Sequence, residues 1–212
     1  MKGFFVTGTD TGIGKTLASA CLMAGLRTSD EVCYWKPVQT GIEEDDDTAM
    51  VLSLADCAED EIFSEGIRLE RPLSPHLSAR LAGTRIDIGQ IVDIASRAPR
   101  DRLMIVEGAG GVLVPLNERE MMIDLIRDLS LPAIVVARSG LGTINHTLLT
   151  IEALRLRGIG IAGVLMNGEA NEENRLAIEG YGKTRVIAEI PRFRRVAADV
   201  IVPWAERNIE GI

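Results

Sequence analysis

Near its N-terminus the chain reads Gly8-Thr9-Asp10-Thr11-Gly12-Ile13-Gly14-Lys15-Thr16, and this loop indicates the architecture around it. It follows the apolar run Phe4-Phe5-Val6, typical of a buried strand, and precedes residues that predict a buried helix over 16–26. A glycine-rich loop between strand and helix is the context of a P-loop, whose backbone N–H groups cradle phosphate oxygens. Lys15 is then expected to reach the β- and γ-phosphates, and the Thr16 hydroxyl to bind Mg²⁺. Five residues separate Gly8 from Gly14, one more than in the common pattern, so a glycine turn without a ligand is the alternative.

Short apolar runs alternate with longer amphipathic stretches along the rest of the chain, which indicates repeated βα units. The most obvious buried strand is the β-branched run 133–137. Further strands are predicted over 32–35, 103–106, 161–166 and 186–187, and helices over 47–55, 75–82, 88–97, 121–129, 143–157 and 172–180. The segment 65–75 is expected to be irregular. The predicted fold class is therefore α/β, a P-loop NTPase-like, mostly parallel sheet with helices on both faces, in one domain over residues 1–212.

Composition and charge exclude several classes of protein. The 212 residues are 46% apolar and 25% charged, which is ordinary for a globular domain. The formal net charge of -8 argues against broad nucleic-acid binding, so an anionic ligand needs a local site. No apolar run approaches the roughly 20 residues that span a bilayer, and the N-terminal apolar stretch is too short for a secretory signal. The three cysteines share no CxxC spacing and are expected to be free thiols in a reducing compartment, so a cytoplasmic location is predicted.

Two carboxylates are candidates to bind a metal beside the loop. Glu107 ends the predicted strand 103–106 and leads into Gly108-Ala109-Gly110-Gly111, whose glycines permit close approach of the backbone to a ligand. The second candidate belongs to the acidic run Glu43-Glu44-Asp45-Asp46-Asp47, most of which is expected to be a solvated loop face. Asp47 stands at the entry to a predicted helix, where it could cap the helix or bind the metal. The sequence leaves both roles open.

Several patches, in order along about residues 4–191, resemble the dethiobiotin synthetase family. Beside the loop itself they are Tyr34-Trp35-Lys36-Pro37-Val38, Ser74-Pro75-His76, Val106-Glu107-Gly108-Ala109-Gly110-Gly111, Gly142-Thr143-Ile144-Asn145-His146 and Glu189-Ile190-Pro191. The resemblance implies closure of the ureido ring of dethiobiotin from 7,8-diaminopelargonate, CO₂ and MgATP. In that scheme one amine captures CO₂ as a carbamate, a carbamate oxygen attacks the γ-phosphate, and the second amine displaces phosphate. It also implies a homodimer with the substrate site near the interface.

The resemblance further implies roles for individual residues. Lys36, Lys15 and Thr11 match catalytic positions, while Thr16, Asp47 and Glu107 match the Mg²⁺ ligands. Nucleotide contacts are implied for Gly12, Ile13, Gly14, Lys15, Thr16, Leu17, Glu107, Gly108, Ala109, Gly110, Asn167 and Pro191. Substrate contacts are implied for Thr40, Gly111, Val112 and Asn145, the last at a helix N-terminus that suits a carboxylate.

Other roles remain open for some of these residues. Lys36 could be an ordinary charge at a strand end, Asn167 part of a simple Asn-Gly turn, and Asn145 a helix cap. His76 and His146 are interpreted as structural, since the scheme needs no histidine base. The family tyrosine near the substrate carboxylate has no clear counterpart, because Tyr181 is offset along the chain. The basic stretch Arg192-Phe193-Arg194-Arg195 has no assigned role.

Two other functions compete with the ligase. ATPase switches of the partitioning or septum-positioning type share the P-loop, but they carry a lysine early in the loop, where this chain has Asp10. They also use an amphipathic membrane tail or a basic DNA surface, and neither is evident in the sequence. The synthetase domain of a glutamine-dependent amidase shares the Glu-Gly-Ala-Gly-Gly pattern, but 212 residues leave no room for a glutaminase domain.

Overall fold

The structure is a computed structural model that describes residues 1–44, 46–209 and 212; Asp45, in the acidic run, lies outside the described residues. The main sheet contains β1 (Lys2–Gly8), β2 (Val32–Trp35), β4 (Ile62–Phe63), β6 (Leu103–Gly111), β7 (Ala133–Arg138), β8 (Ile161–Asn167) and β9 (Val186–Ile190). Its strands follow the order β4-β2-β6-β1-β7-β8-β9, and every pairing is parallel. A small second sheet pairs β3 (Val38–Thr40) with β5 (Ile67–Leu69), also in parallel. The predicted α/β class with a mostly parallel sheet is confirmed.

Helices cover both faces of the sheet. They are α1 (Lys15–Leu26), α2 (Asp47–Leu54), α3 (Pro75–Leu81), α4 (Ile88–Ala95), α5 (Met122–Leu129), α6 (Thr143–Leu156), α7 (Glu172–Gly182) and α8 (Ala198–Asn208), with a 3₁₀ turn at Glu59–Glu61. Successive strand residues point to opposite faces, so Phe5 joins one apolar core and Val6 the other. One core packs against α4, α5 and α6, and the other against α1, α2 and α8. Within the described residues, no helix is long and apolar enough to cross a membrane.

The sequence missed several elements. The segment predicted to be irregular contains β5, and the short strands β3 and β4 were not expected. Helix α8 was also missed, because Pro203 lies inside it and proline disfavours a helix interior. Burial in the core stabilises α8 although a proline lies inside it. Helix α8 contributes Ile201 and Ala205 to the core beside α1, a packing gain that local propensity does not report.

The topology gathers the carboxyl ends of three strands at one edge. Strand β1 lies between β6 and β7, and β2 lies on the far side of β6. The P-loop after β1, Lys36 after β2, and Glu107 on β6 therefore meet at the point where the strand order reverses, the usual ligand crevice of open parallel sheets. Strand β6 also bulges there, since Val6 pairs with Glu107 but Gly8 pairs with Gly111. The predicted strand ended at 106, whereas the observed strand continues through this glycine bulge.

Candidate active site

The P-loop adopts a compact turn held by its own polar groups. Gly12 and Gly14 have φ angles of 69° and 91°, a left-handed conformation that glycine adopts without strain. The Lys15 ammonium donates to the backbone carbonyl of Asp10 at 3.0 Å, and the Thr11 N–H donates to the Asp10 carboxylate at 2.7 Å. Helix α1 begins immediately after Gly14 and carries no acidic side chain in its first turn. The loop thus presents backbone N–H groups and the positive end of a helix to an anion.

Asp10 connects the P-loop to the neighbouring strand β7. Its second carboxylate oxygen accepts a hydrogen bond from the Arg138 guanidinium at 3.0 Å, at the carboxyl end of β7. Both side chains are about half exposed, so the ion pair contributes little to stability. Its consequence is geometric, because it joins the tip of the loop to the neighbouring strand. Arg138 was not singled out from the sequence, where an arginine at a strand end carries no distinguishing signal.

A cluster of charged and polar side chains lies beside Lys15. The Lys36 ammonium is 2.7 Å from Asp47 Oδ2 and 2.7 Å from Glu107 Oε1, and it also donates to the Gly108 carbonyl at 3.1 Å. The Thr16 hydroxyl donates to Asp47 Oδ1 at 2.7 Å and lies 3.2 Å from Glu107 Oε1. Lys36 and Glu107 are 3% and 0% exposed, so these two charges are almost removed from water, whereas Asp47 is partly exposed. Lys36 is therefore not an ordinary surface charge.

Burial and charge act against each other in this cluster. Burial alone would lower the pKa of Lys36, but the Glu107 and Asp47 carboxylates outweigh it and hold that pKa above its ordinary value. The pKa of Lys15 is lowered, first by burial and then by the neighbouring Lys36 ammonium. Burial opposes ionisation of Asp47, yet Lys36 and the Thr16 hydroxyl together hold its pKa below the usual value. Lys36 and Asp47 are thus an ionised pair.

The structure separates the two roles that the sequence left open for the acidic run. Asp46 caps α2, because its carboxylate accepts hydrogen bonds from the N–H groups of Thr48 and Ala49 at 2.9 and 3.1 Å. Asp47 is the first residue of the helix and faces Lys36 and Thr16. Asp46 is therefore the cap, and Asp47 is the carboxylate that lies in the cluster, a distinction that their sequence context does not make.

The cluster offers the ligands that a hard cation prefers. The described residues contain no group of three or more His, Cys, Asp and Glu side chains that could enclose a metal. Instead, Thr16, Asp47 and Glu107 bring one hydroxyl and two carboxylates together. Mg²⁺ is commonly held by one or two carboxylates with waters and phosphate oxygens of a substrate, so this set of ligands fits it.

Asn167 contacts the P-loop through its side chain. This residue ends β8, and its side-chain amide donates to the Ile13 carbonyl at 2.8 Å. A Cβ atom on Gly14 would lie 2.2 Å from the same amide nitrogen, and the φ angle of 91° at this residue also favours glycine. Asn167 is thus more than the first half of an Asn-Gly turn. Pro191 follows β9, whose Ile190 carbonyl accepts the Gly168 N–H at 2.9 Å.

A cavity of about 300 Å³ adjoins the P-loop. Its wall comes from the P-loop, the β6 bulge and one face of α6: Gly8, Thr9, Asp10, Thr11, Gly111, Val112, Leu113, Val114, His146, Leu149, Thr150 and Ala153. The predicted substrate residues Gly111 and Val112 therefore line a cavity together with Thr11. His146, interpreted from the sequence as structural, also lies in this wall. The signal that could have found it is its place one turn before Leu149 and Thr150 on the same helix.

Asn145, Thr40 and Tyr181, which were also considered from the sequence, are not among the residues that line this cavity. Asn145 is exposed in the first turn of α6 and does not cap the helix, since Gly142 holds that position. Thr40 ends β3. Tyr181 is 77% exposed on α7.

The basic stretch after Pro191 packs locally against α8. Phe193 contacts Trp204 edge to face, with ring centroids 5.7 Å apart, and Arg195 pairs with Asp199. Part of this stretch therefore anchors the start of the last helix.

Comparison with known proteins identifies the relatives of the chain. The AAA domain family model matches residues 2–199. The ATP-dependent dethiobiotin synthetase BioD of Paramagnetospirillum magneticum is 51% identical and aligns over 95% of this chain and 93% of its own length. That of Brucella ovis is 46% identical over 88% of this chain and 84% of its own length. Among solved structures, the MinD cell division protein of Aquifex aeolicus superposes with a TM-score of 0.59, covering 100% of this chain and 98% of its own, at 16% identity. The MinD likeness shows the shared fold alone, whereas sequence identity near 50% over nearly the whole length shows that the chain belongs to the ATP-dependent dethiobiotin synthetase family.

Proposed function

We propose that this chain uses ATP to close the ureido ring of dethiobiotin from 7,8-diaminopelargonate and CO₂, with release of ADP and phosphate. The observation that carries the proposal is the buried Lys36, held between Asp47 and Glu107 beside the P-loop and its adjoining cavity. The reaction brings an anionic carbamate to an anionic triphosphate, so positive groups must lie between them. Lys15 and Lys36, which are 8% and 3% exposed, provide two such groups.

The proposed reaction has three steps. One amine of the substrate adds to CO₂ and loses a proton, which gives a carbamate. A carbamate oxygen then attacks the γ-phosphorus of ATP, and ADP leaves as a carbamic–phosphoric anhydride forms. The second amine attacks the carbamate carbon, phosphate leaves, and the ring closes with loss of a proton.

Each described group has a place in that scheme. Lys15 and the N–H groups of the P-loop, from Gly12 to Leu17, would bind the phosphates, and Lys36 would contact both the carbamate and the γ-phosphate. Thr16, Asp47 and Glu107 would hold Mg²⁺. Bound there, Mg²⁺ would supply positive charge that offsets the negative charge of the phosphates. The protein mainly positions the reactants, an effect that can contribute roughly 7–11 kcal/mol to lowering a barrier.

The cavity supports the choice of substrate. Val112, Leu113, Leu149 and Ala153 give it an apolar wall that suits an alkyl chain, while Thr11 and Gly111 lie at its phosphate end. Asn145, in the first turn of α6, would receive the terminal carboxylate at the positive end of that helix. Asn167, already bonded to the P-loop, would bind adenine. Pro191, Gly108, Ala109 and Gly110 would add further contacts to the nucleotide.

We further propose that the chain forms a homodimer across this face and acts in the cytoplasm. Leu141 and Leu149, at and beside the start of α6, are 102% and 57% exposed, an arrangement that a two-fold contact would cover. Light scattering of the purified chain should give a mass of about twice 23.0 kDa; a monomer at micromolar concentration would contradict the dimer.

The proposed reaction can be tested through its carbon source. The chain is incubated with MgATP, the diamine and ¹³C-bicarbonate, and the product is analysed by mass spectrometry. Dethiobiotin that carries one ¹³C, in the ureido carbonyl, is the expected product. An unlabelled product, or ADP formation without any cyclic urea, would contradict the proposed reaction.

A further inference from the structure

Tyr34 lies directly beneath the charged cluster, on the strand that leads to Lys36. Strands β2 and β6 are parallel neighbours with Tyr34 opposite Ile105, and side chains two apart on a strand share a face. The Tyr34 side chain therefore lies on the same face as Ile105 and Glu107, under α1. Tyr34 is 0% exposed, and its ring belongs to the apolar core on that side.

The two oxygens of Glu107 face different partners. Oε1 is 2.7 Å from the Lys36 ammonium and 3.2 Å from the Thr16 hydroxyl, on the side of the cluster. Oε2 accepts a hydrogen bond from the Tyr34 hydroxyl at 3.0 Å, on the side of the core. The Tyr34 hydroxyl thus binds the Glu107 oxygen on the core side, while the other Glu107 oxygen faces Lys36 and Thr16.

Packing alone does not account for a tyrosine at this position. Phenylalanine would fill nearly the same volume, and a buried hydroxyl costs free energy unless it is bonded. Here the hydroxyl forms a bond with a buried carboxylate, which fixes the rotation of that carboxylate about its terminal torsion. Groups that hold a metal ligand in this way commonly change metal affinity or activity 10- to 100-fold when they are removed.

We propose that Tyr34 is a positioning residue, whose hydroxyl orients Glu107 so that Oε1 faces Thr16, Asp47 and a divalent cation bound with the nucleotide. The proposal rests on the proposed function, in which Glu107 is a metal ligand, and it adds a residue that binds neither metal nor substrate. Tyr34 acts through Glu107 on cation affinity, while the diamine site along α6 is untouched.

The test compares Mn²⁺ binding by the wild-type chain and by Tyr34→Phe, in the presence of ADP and without the diamine. Electron paramagnetic resonance measures the free Mn²⁺. The variant is expected to bind Mn²⁺ about 10-fold or more weakly. Its metal-free melting temperature is measured as well, so that a loss of metal affinity is separated from a loss of folded protein. Ser78→Ala is the matched control, because it also removes a buried hydroxyl, one that donates to the Arg71 carbonyl at 3.1 Å. It should leave Mn²⁺ binding unchanged.

A second measurement uses the native residue. The chain has two tyrosines, so a sample labelled with ¹³C at the tyrosine ζ carbon gives two signals, and Tyr181→Phe assigns them. Binding of Mg²⁺ and ADP should shift the Tyr34 signal, because the cation draws charge from the carboxylate that accepts its hydrogen bond. Mn²⁺ affinity within twofold of wild type in Tyr34→Phe, or a Tyr34 signal that does not move, would overturn the proposal. Failure of the wild-type chain to form dethiobiotin would instead count against the proposed function, since neither measurement includes the diamine.

Discussion

Lys36 shows how a single side chain acquires a role from its surroundings. Its ammonium is buried between two carboxylates, and a charge in that setting must be paired to be tolerated. Lys15, close by, has no carboxylate at such short range among the described contacts and is bonded to a backbone carbonyl. The two lysines therefore differ. Lys36 is paired with two carboxylates, whereas Lys15 is bonded to the backbone of the P-loop. Both positive charges remain within the site where phosphoryl transfer is proposed.

Removal of either charge tests these assignments. Lys15→Gln and Lys36→Gln should each lower turnover at least about 10²-fold, since each removes charge from a developing phosphoryl centre. Lys2→Gln is the control, because Lys2 is exposed and its ammonium lies 4.0 Å from Asp30. Rates of dethiobiotin formation at saturating substrates provide the measurement. Near-normal turnover in either variant would refute the role given to that lysine.

At the scale of elements, the packing of α1 against α8 depends on one glycine. A Cβ atom on Gly25 would lie 2.5 Å from the Ile209 Cβ and 3.0 Å from the Ala205 carbonyl oxygen, so a larger residue forces the helices apart. A Cβ atom on Gly180, in α7, would meet no heavy atom of the described residues within 4 Å beyond its chain neighbours and the backbone of its own helix. The two glycines stand in helices of similar length, yet only one is required by its neighbours.

Alanine substitution at the two positions should therefore have opposite effects. Alanine favours a helix over glycine by roughly 0.5–1 kcal/mol, and Gly180→Ala should stabilise the fold by about that amount. In Gly25→Ala the steric cost, typically about 1–3 kcal/mol, should exceed this gain and lower the free energy of unfolding. Urea unfolding of both variants measures the difference. A stabilised Gly25→Ala would show that α1 and α8 do not pack as described.

Helix α1 also carries a thiol whose ionisation opposes folding. Burial raises the pKa of Cys21 to about 12, and the ordinary value in an unfolded chain is about 8.5. Between these values the folded state binds more protons than the unfolded state, so the free energy of unfolding decreases as pH rises. One such group contributes a slope of about 1.4 kcal/mol per pH unit in that window, and no slope below it.

Comparison of the wild-type chain with Cys21→Ala isolates this slope from other groups that titrate at high pH. The difference in their unfolding free energies should be constant below about pH 8 and should shift in favour of the variant above it. Urea titrations between pH 7 and 10.5 provide the measurement. Parallel pH profiles for the two proteins would mean that Cys21 ionises as easily when folded as when unfolded.

For the whole molecule, local patterns were sufficient for the architecture but not for every contact. Each predicted helix and strand exists. Their positions follow from the alternation of apolar runs with amphipathic stretches, and the glycine-rich loop marks the first turn between strand and helix. Helix α8, with Pro203 inside it, is stabilised by distant residues of α1 and could not be found from its own sequence. The division between Asp46 as cap and Asp47 in the cluster likewise depends on the position of Lys36, as the Tyr34–Glu107 bond depends on the register of β2 and β6. The Tyr34–Glu107 bond joins positions 73 residues apart, and the bond from Asn167 to Ile13 joins positions 154 residues apart.

The central claim is that ATP cleavage by this chain is coupled to ring closure. The most direct measurement is phosphate release from MgATP, with and without 7,8-diaminopelargonate and bicarbonate, with dethiobiotin quantified in the same samples. The account predicts phosphate release that requires the diamine and equals dethiobiotin formed, one to one. Hydrolysis that proceeds at the same rate without the diamine, and yields no cyclic urea, would contradict it and would favour an ATPase switch on the same fold.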